Sequence, residues 1–68
     1  LKLSPPLLHG NHVVVGDSQG HVNIIKSDNG AMIARSAGDE SAIVTPPVSL
    51  PNGFVVQTRK GGVFAFAL

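Results

Sequence analysis

The sequence contains no cysteine, no tryptophan and no tyrosine, and each absence excludes a class of protein. Without cysteine the chain forms neither a disulfide framework nor a cysteine-ligated zinc site, which are the usual means of stabilising small domains. Without tryptophan or tyrosine it has little to stack against nucleic-acid bases. Its five basic and four acidic residues give a net charge of +1 without a basic stripe, so we expect no nucleic-acid partner.

Long apolar runs are also absent. The longest are a few residues, whereas about 20 are needed to span a bilayer, so we expect no direct membrane insertion by this segment. No stretch is patterned like a signal peptide, and the first residue is Leu1. Because the chain does not begin with methionine, we interpret it as a fragment of a larger protein. A folded chain of this size leaves roughly 40% of its unfolded surface exposed, so we expect it to be only marginally stable by itself.

The chain does contain an internal repeat. When it is shifted by 41 residues, residues 5–27 align with residues 46–68 without a gap, and seven of the 23 pairs are identical, where chance gives about one or two. The identical pairs are Pro5/Pro46, Pro6/Pro47, Asn11/Asn52, Val14/Val55, Val15/Val56, Gly20/Gly61 and Val22/Val63. A period of about 40 residues with short strands and glycine turns is typical of β-propeller blades.

Both repeats read as short strands that are apolar on both faces, as expected for sheets covered on both sides. The first repeat predicts strands at residues 6–9, 12–17, 21–26 and 31–36, and the second at 47–50, 54–58 and 63–67. No helix is predicted. Residues 37–42 are polar and are interpreted as the crossing between the two repeats.

One type of turn recurs with the period. Asp17-Ser18-Gln19-Gly20 reads as a type I turn closed by a glycine in the left-handed region, and the run ending at Gly61 occupies the same place in the second repeat. Because no helix follows either glycine, we interpret both as backbone requirements rather than as phosphate-binding residues.

Two further turns are predicted from dipeptides. Asn29-Gly30 is the signature of a two-residue type I′ hairpin, in which both residues have positive φ. Asn52-Gly53 is predicted to turn between the first two strands of the second repeat. These residues complete the set of structural turn residues that we expect: Asp17, Gly20, Asn29, Gly30, Asn52, Gly53 and Gly61.

The run Val14-Val15-Gly16-Asp17-Ser18-Gln19-Gly20, followed by His21-Val22, resembles the closing blades of the BamB family, the outer-membrane protein assembly lipoproteins. Four other segments also resemble that family: residues 4–11, 28–30, 45–48 and 60–66. The resemblance covers essentially the whole chain. Related propellers share part of the pattern, but the Gly-Asp-Ser-x-Gly run in register with a terminal repeat is more specific than a bare repeat.

The resemblance implies an eight-bladed propeller, anchored by a lipid on the periplasmic side of the outer membrane. It also implies a non-catalytic scaffold subunit of the machinery that inserts β-barrel proteins. The partner implied by the resemblance is the central barrel subunit BamA, which the scaffold would bind through BamA's periplasmic domains. The family's lipid-bearing cysteine and main partner-binding residues lie outside this segment, so none is carried over.

We therefore expect an all-β fragment of a β-propeller: one four-stranded antiparallel blade plus three strands of the next. Residues 1–41 are assigned to the first blade with its connecting segment and residues 42–68 to the incomplete C-terminal blade, both within a single parent domain.

Two alternatives are a fragment of a quinoprotein-type dehydrogenase propeller and a sensor or ligand-binding propeller domain. The first needs carboxylate ligands and a catalytic carboxylate that converge at one site. Asp17 and Asp28 fall in predicted turns, and Asp39-Glu40 in the crossing, so we interpret all four acids as solvated loop residues. We expect no enzymatic activity, no catalytic residue and no cofactor-binding residue.

The histidines could suggest a metal site, because imidazole is a common ligand. His9 and His12 flank the Gly10-Asn11 turn, whereas His21 begins another strand, so their convergence is not expected and we predict no metal site. Arg59-Lys60 could contact an acidic partner, but two charges at a hairpin tip are more often solubilising.

The final segment, residues 63–68, is uncharged and β-prone. As an unpaired edge it favours pairing with another chain, and sheets that are apolar on both faces leave outer patches uncovered. We therefore expect the fragment to self-associate, by edge pairing or by stacking of blades.

Overall fold

The computed structural model describes residues 2–68, which form seven strands and no helix. The strands are β1 (Leu7–His9), β2 (His12–Gly16), β3 (His21–Lys26), β4 (Met32–Ala37), β5 (Val48–Leu50), β6 (Gly53–Gln57) and β7 (Val63–Ala67). Strands β1–β4 form a four-stranded antiparallel sheet (sheet 1), and β5–β7 form a three-stranded antiparallel sheet (sheet 2). The predicted all-β class with one four-stranded and one three-stranded sheet is confirmed.

The strand pairing repeats with the same period as the sequence. Val14 lies opposite Leu7 on one side and Ile24 on the other. Val55 is the repeat equivalent of Val14, and it lies opposite Val48 and Ala65. These two residues are the repeat equivalents of Leu7 and Ile24. The same shift relates every pair of the β1–β2–β3 ladder to a pair of the β5–β6–β7 ladder. The 41-residue register therefore holds in the hydrogen-bonded structure as well as in the sequence.

Strand boundaries differ from the predicted ones by one residue in several places. β2 ends at Gly16, because Asp17 leaves the ladder and forms an isolated bridge with Leu3. β4 begins at Met32, and the register shifts between Ile24 and Ile25 where β4 pairs with β3. This irregularity has no counterpart in sheet 2, which lacks a fourth strand.

The hydrophobic core lies between the two sheets. Each sheet contributes one face, which we call its inner face, and the connection between the sheets adds one residue. The buried members are Val14, Val22 and Ile24 from sheet 1, Phe54 and Val56 from sheet 2, and Ile43 from the connection. Phe54 and Phe66 stack with ring centroids 5.1 Å apart, which places the aromatic side chains of sheet 2 against the aliphatic face of sheet 1.

The segment that connects the two sheets packs on sheet 1 through a close contact between the Ile43 side chain and the backbone of Gly16. Ile43 is buried, and a Cβ at Gly16 would overlap with its side chain. Because glycine leaves that space free, Ile43 packs directly over the end of β2. The equivalent position in sheet 2 is Gln57, so this contact belongs to the first repeat alone.

Candidate functional site

The Asp17 carboxylate is the most deeply buried charged group that the structure describes. One oxygen accepts hydrogen bonds from the backbone N–H groups of Gln19 and His21, both at 2.9 Å. The other accepts from the Asn23 amide at 3.4 Å, and Arg35 Nη2 and His21 Nδ1 each lie 3.7 Å from it. The interpretation of Asp17 as a solvated loop acid is therefore wrong, because its oxygens close the turn instead of facing water.

These contacts also set the protonation of Asp17. Burial by itself would raise the pKa of the carboxyl, but the N–H donors of His21 and Gln19, the Asn23 amide and the nearby His21 ring hold the pKa below its usual value. The carboxylate is thus ionised at neutral pH and already accepts three hydrogen bonds. Such a group stabilises a turn and is poorly suited to act as a general base, which needs a pKa near the operating pH.

The turn of the second repeat has the same geometry with a different side chain. The Thr58 hydroxyl accepts a hydrogen bond from Gly62 N–H at 3.1 Å, as Asp17 does from the N–H four residues later. It also donates to Asp39 at 2.8 Å, and Asp39 accepts from Ser41 N–H at 3.0 Å. Burial would raise the pKa of Asp39, but the Thr58 and Ser41 hydrogen bonds lower it. Asp39 is partly exposed in the connecting segment, and its carboxylate is also held in hydrogen bonds to the second turn.

The connecting segment, residues 38–43, is bonded to both turns. Gly38 N–H donates to the carbonyl of Gly20 at 3.1 Å, and Ile43 N–H donates to the carbonyl of Asp17 at 3.0 Å. On the other side, Arg59 N–H donates to the Ala42 carbonyl at 2.9 Å. The polar crossing expected at residues 37–42 thus corresponds to this segment within one residue, and its backbone groups fix the two turns relative to each other.

Gly20 and Gly61 end these turns in the same conformation. Their φ angles are +83° and +90°, and their N–H groups donate to the carbonyls of Asp17 at 3.1 Å and Thr58 at 2.9 Å. A side chain is strained in this region of φ, which accounts for glycine at both places. Their surroundings differ, because a Cβ at Gly20 would lie 2.7 Å from the Ser41 carbonyl oxygen while nothing lies within 4 Å at Gly61.

The type I′ turn predicted at Asn29-Gly30 is wrong. Among residues 2–68, the only residue other than glycine with positive φ is Glu40, so Asn29 is not left-handed, whereas Gly30 has φ +70°. The Lys26 carbonyl accepts a hydrogen bond from the Gly30 N–H, and the Lys26 N–H donates one to the Ala31 carbonyl, both at 2.9 Å. The connection is therefore a four-residue loop that ends at Gly30, and Asn29 accepts from Ala31 N–H at 3.0 Å.

The turn predicted at Asn52-Gly53 is displaced by one residue. Leu50 pairs with Gly53, so the turn residues are Pro51 and Asn52, and Gly53 is the first residue of β6. Glycine is required there for a different reason: a Cβ would overlap with the backbone oxygen of Phe66 on the neighbouring strand.

The histidines lie where the sequence placed them, at strand ends. His9 pairs with His12 across the first hairpin, and His21 opens β3 beside Asp17. Over residues 2–68, no three histidine or acidic side chains are grouped as a metal site requires.

Two of the concave surfaces are candidate binding sites. One, of about 280 Å³, lies on sheet 1 over Val15, Ile25 and Met32, with Asp17 and Arg35 also lining it. The other, of about 510 Å³, lies between the turn ends of the two sheets. It is lined by two cations, Lys2 and Arg59, together with Ser18 and the connection, and by no acidic side chain.

Each sheet also has an outer face, opposite the core. On sheet 1 its apolar residues are Leu8, Val13, Val15, Ile25 and Met32, beside Asn23 and Arg35, and on sheet 2 they are Val48, Leu50, Val55, Val63 and Ala65, beside Gln57. Sequence reasoning anticipated apolar outer faces, but not their residue-by-residue relation to the core. Among the described residues, no helix has the length and apolar character needed to cross a membrane.

No family model matches the chain. Individual proteins do: the chain is 52% identical over 62 residues to outer membrane protein assembly factor BamB of Nitrosomonas eutropha, an alignment of 91% of this chain and 15% of that protein. It is 44% identical over 61 residues, 90% of its length, to BamB of Burkholderia pseudomallei, and 32% identical over 63 residues, 93% of its length, to BamB of Escherichia coli. In both cases it covers 16% of the relative.

The chain thus aligns over nearly all of its own length while spanning about 15% of the length of the curated relatives it matches. That pattern, together with two antiparallel sheets built on one repeat, is consistent with a fragment of a larger propeller. The resemblance predicted from the sequence is confirmed: this chain is homologous to a short segment of the outer membrane protein assembly factors named BamB.

Proposed function

We propose that the chain is part of a non-enzymatic scaffold subunit of the machinery that assembles β-barrel proteins into the bacterial outer membrane. The observation that carries the proposal is the 52% identity, over 91% of the chain, to a protein named as an outer membrane protein assembly factor. The site geometry supports the non-enzymatic part, because Asp17 and Asp39 are each engaged in hydrogen bonds that hold turns.

The two sheets serve this function as segments of one parent domain. We assign residues 1–41 to one blade and residues 42–68 to three strands of the C-terminal blade of an eight-bladed propeller. The repeat of the whole strand ladder after 41 residues supports this assignment, since consecutive blades are built on one pattern. By resemblance, the parent is lipid-anchored on the periplasmic side of the outer membrane and its partner is BamA, contacted through that protein's periplasmic domains.

The groove between the turn ends is the surface of this chain best suited to a protein partner. Lys2 and Arg59 line it without an acidic neighbour, so an acidic segment of the partner would find complementary charge there. Charges at the rim of an interface act mainly on association rate and salt dependence. We therefore expect this contact to be weakened by salt.

The function is tested in the parent protein, in a cell from which the native copy has been removed. A parent lacking residues 1–68 is expected to reduce the amount of β-barrel protein in the outer membrane and to lose co-purification with BamA. Normal outer membrane composition and normal co-purification with that deletion would contradict the proposal.

The groove is tested with Arg59→Ala in the full parent, with Lys26→Ala as the matched control. Both substitutions remove one positive charge, but Lys26 is exposed at the end of β3, away from the groove. Arg59→Ala is expected to weaken co-purification at low salt and Lys26→Ala to leave it unchanged. Equal effects of the two would show that net charge, and not the groove, is involved.

A further inference from the structure

The chain contains the sequence Asn-Gly twice, at residues 29–30 and 52–53, and each copy lies where two strands are joined. In Asn-Gly the backbone nitrogen of the glycine can attack the asparagine Cγ with little hindrance, because glycine has no Cβ. The product is a cyclic succinimide, and its formation requires the peptide between the two residues to rotate. The fold therefore decides which of the two copies can react.

The Asn29-Gly30 copy lies in a loop that is free to make this rotation. Residues 27–30 are all exposed and lie outside the strand ladders, and no atom lies within 4 Å of a Cβ placed on Gly30. The Gly30 N–H donates one hydrogen bond, to the Lys26 carbonyl at 2.9 Å. Because this bond is exposed, water can replace it at little cost when the loop opens locally.

A hydrogen bond also holds the Asn29 side chain toward the Gly30 peptide. Asn29 Oδ1 accepts from the Ala31 N–H at 3.0 Å, and the ring that this bond closes contains both Asn29 Cγ and the Gly30 nitrogen. When the nitrogen attacks Cγ, negative charge develops on Oδ1, the atom to which the Ala31 N–H already donates. A backbone N–H aimed at a developing oxyanion stabilises the transition state.

The Asn52-Gly53 copy has the same two residues in a setting that opposes the rotation. The Asn52 carbonyl accepts a hydrogen bond from the Leu68 N–H at 2.9 Å, and Gly53 is buried between β5 and β7. A Cβ at Gly53 would overlap with the backbone oxygen of Phe66, so this peptide is packed tightly against β7. Rotating it would break the pairing of β6 on both sides.

We propose that Asn29 is a site of spontaneous deamidation and isomerisation in the folded protein, and that the fold protects Asn52. The Gly30 nitrogen loses its proton and forms a bond to Asn29 Cγ, and the Cγ–Nδ2 bond breaks to release ammonia. One water molecule then opens the succinimide. Cleavage of the ring bond at Cγ gives aspartate, and cleavage at the backbone carbonyl gives isoaspartate. The reaction needs no oxidant, reductant or cofactor.

The site stays accessible when further blades are added. Residues 27–30 lie at the end of sheet 1, between the last residue of β3 and the first of β4, whereas neighbouring blades pack on the faces of a sheet. The product places a new carboxylate next to Asp28 and lowers the net charge of the chain, which is +1, by one unit. Deamidation therefore adds negative charge to an exposed end of the blade, outside the core.

The test is peptide mapping of the parent protein by mass spectrometry after incubation in mildly alkaline buffer. In the folded protein, Asn29 is expected to convert to aspartate and isoaspartate at least about tenfold faster than Asn52. In guanidinium chloride both copies are unfolded, and the two asparagines are expected to convert at similar rates. This control assigns the difference to the fold, because the reacting residues are identical.

Two matched variants identify the reacting side chain. Asn29→Gln is expected to abolish the conversion in the loop, because glutamine would have to close a larger and less favourable ring, and Asn52→Gln is expected to leave the conversion of Asn29 unchanged. Equal rates at the two asparagines in the folded protein, or a faster rate at Asn52, would overturn the proposal. So would an Asn29 that is stable in the folded protein, or a product that contains aspartate without isoaspartate.

Discussion

Gly20 and Gly61 allow one prediction to be made with its own internal control. Both residues end a turn in the left-handed region, with φ +83° and +90°, at positions exactly one repeat apart in the same strand ladder. They differ in what surrounds them. A Cβ at Gly20 would lie 2.7 Å from the Ser41 carbonyl oxygen and 3.0 Å from its nitrogen, whereas no atom lies within 4 Å of a Cβ at Gly61.

The expected costs follow from these two features. A non-glycine residue in the left-handed region costs about 1–2 kcal/mol, and the lower entropy of the unfolded chain after Gly→Ala offsets about 0.4–1 kcal/mol of it. Gly61→Ala should therefore lower the free energy of unfolding by about 1 kcal/mol. Gly20→Ala carries the same cost, and forcing apart the packed backbone of Ser41 adds about 1–3 kcal/mol.

The comparison is made by thermal unfolding of the two variants and the unsubstituted chain at one protein concentration. For a domain of this size, 1 kcal/mol corresponds to about 4–8 °C in Tm. Gly20→Ala should thus unfold at least about 4 °C below Gly61→Ala. If the two variants have the same Tm, the contact between the first turn and the connecting segment does not contribute to stability and the argument fails.

Three other changes test separate parts of the structure. The folded-state pKa of Asp17 is lowered, so its contribution to stability is present above the unfolded pKa of about 4 and is lost as pH falls through the folded value. In urea titrations at a series of pH values, Asp17→Asn should therefore lose less stability on acidification than the unsubstituted chain. An equal loss in both proteins would refute this role of Asp17. Glu40→Gly should raise stability by about 1 kcal/mol by relieving φ +65°, while Glu40→Ala should not, as judged by urea midpoints. Gly30→Val should cost a few kcal/mol in a thermal melt because of φ +70°, and no loss would mean that the loop adopts another conformation.

The strand ladder was predictable because two copies of one pattern constrain each other. A slip by one residue would reverse the two faces of a strand, and the shared positions of Val14 and Val55 exclude such a slip in both repeats at once. The recurring Asp17–Gly20 turn was predictable for the same reason. The sequence therefore predicted the number of strands, their order and their pairing.

The features that were mispredicted depend on contacts that a local pattern does not contain. Asn-Gly favours a two-residue turn, but at Asn29 the shift in register between β3 and β4 leaves a four-residue loop. Asp17 reads as a turn acid, and only the bridge to Leu3 and the position of Arg35 on β4 show that it is covered. The signal that could have identified it is the contrast with Thr58, since a carboxylate replaces a hydroxyl at the same place in the repeat.

The burial pattern shows why sheets of this kind belong in a larger stack. Two sheets have four faces, and the interface between them buries only two, so Val14 is covered while its repeat equivalent Val55 remains partly exposed. Adding sheets in an open row always leaves two faces uncovered, and only a closed arrangement covers all of them. A sequence that is apolar on both faces of each strand is therefore suited to a closed ring of such sheets.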